Sequence, residues 1–357
     1  MITRYRRLLP LIDHLTAHNI TPIFVGGCVR DHLLGNDSLD IDIELYGIGS
    51  TDKLSNYLKP FGKINEVGKS FGVFKFRYEG YAIDLSLPRT ENKSASGHKG
   101  FDVQIYREID FAAAARRRDF TINSMGYNPQ TDTLLDPYRG GADLSAKILR
   151  CVDSLTFVED PLRVLRAMQF AARFDLTCDP QLLTLCSQMI SQGALKELPK
   201  ERIFEEFRKL LLLSQKPSLG LSLLAQMGGK YLLAPPSDEA WDKTLALVDV
   251  TPKELPLRLC ALLLETENPQ TVLQQLTAQR SLLSNTLTLI KYARKYGVIS
   301  HLPQPILQGR DLIALGLTPS LAFKKILDSA YDAQLEGQFF TKSEADAWLK
   351  THLVIAL

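Results

Sequence analysis

The sequence predicts an α+β protein, with a mixed α/β head over residues 1–150 followed by helices alone. Three observations carry that reading. Short apolar runs with period-two alternation occur only before residue 151. Beyond it, leucine-rich stripes at helical spacing follow one another, broken at Pro180, Pro199, Pro235-Pro236, Pro252 and Pro303. At 357 residues the chain is long enough for two or three separate cores. The helical part divides into a neck over 151–215 and a body with tail over 216–357.

In chain order, "MITRYRRLLPLIDHLTAHNI" reads as an amphipathic helix, because Pro10, Asp13 and His14 interrupt any apolar core. "TPIFVGG" is a short strand ending in a glycine pair, and "VRDHLLG" a short helix closed by Gly35. "LDIDIELYG" alternates as a strand, and "DKLSNYLKPFG" looks helical. "FGVFKFRYEGYAIDLSL" predicts a hairpin turning at Glu79-Gly80. "PRTENKSASGHKG" has no periodicity and predicts a mobile loop. In "PKERIFEEFRKLLLL", Ile203, Phe207, Leu210 and Leu211 form one stripe, with Glu205 and Lys209 as an i,i+4 pair.

Composition narrows the classes. The chain is 45% hydrophobic and 23% charged, an ordinary globular mixture. A net charge of +2 leaves any nucleic-acid partner to be held by local patches. Five cysteines without CxxC spacing argue against a disulfide framework or a structural zinc site. No apolar run approaches the ~20 residues that cross a bilayer. A soluble, cytoplasmic protein is expected.

The candidate chemistry begins in "GGCVRDHLLGNDSLDIDIE". On a strand, residues i and i+2 point to one side, so Asp40 and Asp42 project together. Alone, such a pair is most often a solvated strand face. Close carboxylates also repel and raise each other's pKa unless a cation sits between them. Two divalent ions, about 3.5–4 Å apart, remove that cost and clamp an in-line phosphoryl or nucleotidyl transfer. Hard oxygen ligands favour magnesium. Asp84, in "YAIDLSL", lies opposite Tyr81, Ile83 and Leu85 and is a possible third acid.

The segment carrying Gly26, Gly27, Arg30, Asp40 and Asp42 resembles the signature of the class II (bacterial-type) tRNA nucleotidyltransferase and poly(A) polymerase family. The resemblance implies a polymerase β-like nucleotidyltransferase head. In it the glycine turn and Arg30 hold a triphosphate, Asp40 and Asp42 bind metal, and Asp84 is a third catalytic acid. "RRDFTINSM" is similar to a second family motif, which implies that Arg118 and Asp119 hold the incoming nucleotide and its ribose. "DPYRGGADL" resembles the next motif, a structural turn. The similarity spans about residues 22–212.

"EDPLRVLRAMQFAARF" places Asp160, Arg163 and Arg166 on one helix flank and Val164, Met168 and Ala171 on the other. Before Pro161, Asp160 reads as a helix cap. An acid and an arginine side by side also suit a base edge that offers an amine beside a ring acceptor, as cytosine and adenine do. The resemblance implies the latter, with Arg166 as a further nucleotide contact. The implied activity is addition of CCA to tRNA, using CTP, ATP and Mg2+. A partial CC- or A-adding enzyme and a poly(A) polymerase are the alternatives. The last third has the layout of an HD-like frame in which Trp241 and Leu264-Glu265 stand where metal ligands would be needed. "KYARKYG" at 291–297 offers cations and aromatics for phosphate contact.

Overall fold

The computed structural model describes residues 1, 3–48, 54–62, 73–93, 101–105, 109–297 and 304–356, which fall into two compact units, Met1–Leu232 and Leu233–Leu357. The first unit opens with α1 (Leu9–Ala17), β1 (Thr21–Val25), α2 (Gly27–Leu33), β2 (Asp40–Tyr46), α3 (Leu54–Leu58), β3 (Val73–Tyr78) and β4 (Tyr81–Ser86). Next come β5 (Arg89–Lys93), β6 (Phe101–Ile105), α4 (Phe111–Ala115), β7 (Gly126–Asn128), β8 (Thr133–Leu135), α5 (Gly140–Ser145) and β9 (Ile148–Leu149). It continues through α6 (Ser154–Phe157), α7 (Leu162–Phe174), β10 (Thr177–Cys178), α8 (Pro180–Ser191), α9 (Lys200–Leu213) and α10 (Pro217–Gln226).

Six strands form one mixed sheet in the order β3-β4-β2-β1-β7-β8. The β2–β4 pair is parallel and the other neighbours are antiparallel. The alternation in β2 works as the sequence implies. Ile41, Ile43 and Leu45 are fully buried, whereas Asp40 and Asp42 face outward. Each such buried branched side chain contributes about 1.5–3 kcal/mol relative to exposure. The β3–β4 hairpin turns at Glu79 and Gly80, both with positive φ (51° and 86°), as a tight two-residue connection requires.

Three expectations change in detail. Residues 89–93 form a strand paired with 101–105, where a loop is expected; "RTENK" has no apolar alternation of its own, and the period-two pattern sits on its partner, "FDVQI". Residues 94–100 of that segment lie outside the described residues. The helical part also contains β10, paired in parallel with β9 over two residues, too short to carry a pattern. On α9 the ion pairs run i,i+3: Arg208 takes Glu205 at 2.7 Å, and Lys209 reaches the buried Glu206 at 2.8 Å. The expected Glu205–Lys209 pair is therefore replaced, because Arg208 occupies both Glu205 oxygens. The stripe of α9 buries Phe204, Phe207, Leu210 and Leu211.

The second unit is helical: α11 (Asp238–Val250), α12 (Leu255–Leu263), α13 (Pro269–Leu276), α14 (Arg280–Tyr296), α15 (Gly309–Ala314), α16 (Leu321–Leu335) and α17 (Lys342–Ala356). Trp241, Leu259, Leu273 and Leu289 are among its buried core residues, and Phe339, Leu312 and Leu349 belong to a second cluster. Arg294 donates to the carbonyls of Leu264 and Thr266, and Lys295 to that of Glu336. Two of the cations in "KYARKYG" are thus engaged within the unit. No described helix is long and apolar enough to cross a membrane.

Candidate active site

The site is built on the outward face of β2. Parallel pairing sets Asp42 beside Asp84, and antiparallel pairing sets Lys75 beside Asp84, so the three side chains stand in a row across three strands. Asp40, Asp42, Lys75 and Asp84 line a cleft of about 690 Å³ together with Phe76, Arg77 and Ala82. A second cleft, of about 660 Å³, is bordered by Asp40 and Asp42 again, by the Gly26–Gly27 turn, and by a bank of arginines that includes Arg30, Arg118, Arg163 and Arg166. The carboxylate pair therefore forms a wall shared by two clefts.

The electrostatics of the pair suit a cation. Asp42 keeps an open face, but the protein packed around its carboxyl limits hydration and pushes its pKa above the ordinary range; Arg118 pulls it back, while Asp84 and Asp40 push it further up. A divalent ion would remove that repulsion. Asp40 and Asp42 supply hard oxygens on one open face, so the residues fit such a group. Asp84 is at present held by the Lys75 ammonium. Among the described residues no three acids, histidines or cysteines close on a single point.

The glycine turn works by close approach. Gly26 has φ of 70°, and a Cβ there would lie 2.9 Å from Arg118 Nη1. Arg30, one turn into α2, is buried; it donates to Asp31 at 2.6 Å and to the Asn123 side chain at 2.5 Å, and its guanidinium lies over the Phe174 ring at 4.3 Å. Arg173 lies over the same ring at 4.8 Å. Burial, and then the neighbouring Arg30, lower the Arg173 pKa, as a site short of negative charge would.

Arg118 donates to the Glu44 carboxylate at 2.7 Å and to the Asn123 carbonyl at 3.4 Å. Asp119 accepts from Phe120 N, from the Asn123 amide and, through its other oxygen, from Arg166. Its burial raises the pKa, but Arg166 and these hydrogen bonds outweigh it and hold the carboxyl low. Every acceptor position on Asp119 has a partner, so a ribose hydroxyl would have to exchange with one of them.

Asp160 precedes α7 and accepts from Leu162 N at 3.1 Å, which is the capping role, while Arg202 of α9 reaches its other oxygen at 3.4 Å. Arg163 donates to the carbonyls of Thr156 (2.7 Å) and Arg117 (2.5 Å), and borders the same cleft as Asp160. On the far flank Val164, Met168 and Ala171 are buried, as the helical spacing requires. The "DPYRGG" turn is structural in geometry: Asp136 accepts from the backbone N–H groups of Gly140 and Gly141.

All eleven residues singled out from the sequence, from Gly26 to Arg166, border one or both clefts. Sequence reasoning passed over Lys75, Arg173, Arg202, Asn123 and Glu44. For Glu44 a signal existed, since "DIDIE" continues the i+2 series of acids one step further. The others lie inside the quoted stretches, Asn123 in "RRDFTINSM" and Arg173 in "EDPLRVLRAMQFAARF" among them, but no spacing there sets them apart from their neighbours.

This fold, with paired acids on a strand behind a Gly-Gly turn, is that of a nucleotidyltransferase head. Residues 23–150 match the family described as "Poly A polymerase head domain", and residues 175–235 the "Probable RNA and SrmB- binding site of polymerase A". The CCA-adding enzyme of Coxiella burnetii (strain RSA 331 / Henzerling II) is 34% identical over 271 residues, 75% of this chain and 67% of that one. The Multifunctional CCA protein of Xanthomonas oryzae pv. oryzae is 38% identical over 217 residues, and there the match spans 50% of the relative's length. Among solved structures, Bacillus stearothermophilus CCA-adding enzyme in complex with CTP aligns with a TM-score of 0.69 at 22% identity, over 100% of this chain and 99% of that one. The Thermotoga maritima enzyme complexed with tRNA gives a TM-score of 0.62 at 21% identity, over 96% and 94%. The chain belongs to the family of CCA-adding enzymes.

Proposed function

We propose that this protein adds CCA to the 3′ ends of tRNA from CTP and ATP, without a nucleic-acid template and with release of pyrophosphate. The observation that carries this reading is the Asp40–Asp42 wall between two clefts. A transfer between two substrates needs its charged centre where both can reach it. The arginine-rich cleft suits a nucleoside triphosphate, and the Lys75–Asp84 cleft suits the RNA 3′ end.

Asp40 and Asp42 would hold divalent ions, with Mg2+ the choice for an all-oxygen donor set. Such ions would lower the pKa of the attacking hydroxyl and neutralise charge building on the leaving pyrophosphate. Asp84 orients the incoming 3′-hydroxyl once Lys75 releases it. Gly26 and Gly27 let the backbone approach the triphosphate, and Arg30 and Arg118 neutralise it. Asp160 accepts from the exocyclic amine of cytosine or adenine while Arg163 donates to the ring acceptor, a pairing that guanine and uracil do not complete. Arg166 and its clasped Asp119 form the ribose side of the cleft. Residues 1–150 act as the catalytic head, 151–215 as the base-reading neck and 216–357 as the part that holds tRNA. A cytoplasmic location accords with such a substrate.

The test uses three tRNA transcripts, ending before CCA, after C and after CC, each offered CTP, ATP or both with Mg2+. Extension of all three to a single CCA end is expected. Arrest at CC, or action only on the CC-ended transcript, would make this a partial enzyme, and a long A ladder a poly(A) polymerase.

A further inference from the structure

Glu44 is the third member of the acid series on β2, on the same face as Asp40 and Asp42, yet it is fully buried while they are open. A lone buried carboxylate is costly, so its partners define its purpose. It accepts from Arg118 at 2.7 Å, from Arg117 at 3.1 Å and from the Tyr46 hydroxyl at 2.9 Å. Two cations that border the arginine-rich cleft thus converge on one anion beneath the cleft floor.

Without that anion, Arg118 would face another. Asp42 is the neighbouring carboxylate: a Cβ on Gly26 would lie 2.9 Å from Arg118 Nη1 and 4.0 Å from Asp42 Oδ2, so the two groups flank the same turn. We infer that Glu44 is a positioning residue: it holds Arg118 back from Asp42 and aims it across the Gly26 turn into the cleft. Its carboxylate leaves Asp42 free for a metal ion and Arg118 free to donate to a triphosphate. Arg117 extends the effect, because its carbonyl accepts from Arg163, which ties the base-reading helix to the same anchor.

This rests on the nucleotidyl-transfer reading, and the experiment separates the two. CTP and ATP affinities are measured by calorimetry on the full-length protein without tRNA, alongside kcat and KM for addition, for wild type, Glu44→Gln, Glu44→Asp and Tyr46→Phe. In Glu44→Gln, KM for CTP and ATP should rise together by about tenfold, the scale of one charge-assisted hydrogen bond, with an unchanged CTP-to-ATP ratio and unchanged tRNA affinity. Glu44→Asp, which keeps the charge, should recover part of that loss, and Tyr46→Phe should shift KM in the same direction by less. A purely structural ion pair would lower Tm and leave nucleotide affinity intact below the melting range; that result overturns the inference. Should Glu44→Gln fail to fold, the Glu44→Asp and Tyr46→Phe affinities decide alone. Wild-type protein that adds no nucleotide would overturn the underlying reading instead.

Discussion

Arg166 meets Asp119 twice, through Nε at 2.7 Å and Nη2 at 2.6 Å, and so joins helix α7 to the "RRD" segment of the head. The acid is nearly covered, while the arginine is partly open to the cleft. Removing one member leaves the other poorly compensated, so Asp119→Ala should cost about 1.5–3 kcal/mol of stability. The Asp119 pKa is depressed in the folded state. Its contribution is therefore fully present above the ordinary carboxylate pKa of about 4 and is lost as pH falls through the lower folded value. Melting curves of wild type and Asp119→Asn should be well separated at pH 7 and converge in acid. A gap that stays constant down to pH 3 would mean that the pair is not what links these segments.

Asp42→Ala should abolish addition of both C and A while tRNA binding persists. The expected loss is about three orders of magnitude in kcat, what several kcal/mol of transition-state charge stabilisation amounts to. Filter binding of labelled tRNA and single-turnover extension measure the two halves. Retained activity would remove Asp42 from the metal-binding role.

Much of this centre was legible because its residues are local. The Gly-Gly turn, Arg30 and the paired acids sit within one strand–helix–strand run, where period-two and helical spacings fix directions. Asp84 was reachable because its hairpin shows its own alternation. The partners that fix these groups were not. Arg202 touches Asp160 from 42 residues away, and Asn123 holds Arg30 from 93. No periodic pattern encodes such encounters; they depend on how α7, α9 and the head pack. Likewise Asp119 carries the right motif, but only the structure shows that its acceptors are all engaged. The β5–β6 ribbon escaped for a different reason: its first strand, "RTENK", is polar throughout, and the alternation in its partner, "FDVQI", stands beyond the polar segment.

Asp160 does two jobs in geometry, capping Leu162 with one oxygen and turning the other, reached by Arg202, toward the cleft that Arg163 also borders, and one substitution separates them. Asparagine caps helices as well as aspartate does, so Asp160→Asn keeps the helix start. It replaces one acceptor with a donor, which mismatches the exocyclic amine. Discrimination of CTP and ATP against UTP and GTP should fall by about 1–3 kcal/mol, or about fivefold to 150-fold, with little change in Tm. Misincorporation assays with each nucleotide alone give the ratio. Unaltered selectivity would leave Asp160 as a cap and nothing more.

Lys75 places its ammonium on Asp84, the acid beside Asp42 in the parallel β2–β4 ladder. The lysine is 55% exposed and the acid 35%, so solvent screens the pair and its strength is small. An ammonium here serves two opposite ends. It offsets the mutual repulsion of three carboxylates, and it would withhold Asp84 from an ion taken up by the proposed Asp40–Asp42 site. The second effect would dominate once the proposed Asp40–Asp42 site held a cation, because an adjacent fixed positive charge would then oppose it. Lys75→Met should therefore tighten binding of Mn2+, used as a spectroscopic probe, by about twofold to fivefold, the range a screened ion pair of this kind allows. Electron paramagnetic resonance titration of free Mn2+ measures this without substrate and without turnover. The metal-free variant should also melt slightly lower, since its acids then lack a counter-charge. Weaker Mn2+ binding in Lys75→Met would show that the lysine orients Asp84 as a ligand rather than competing for it.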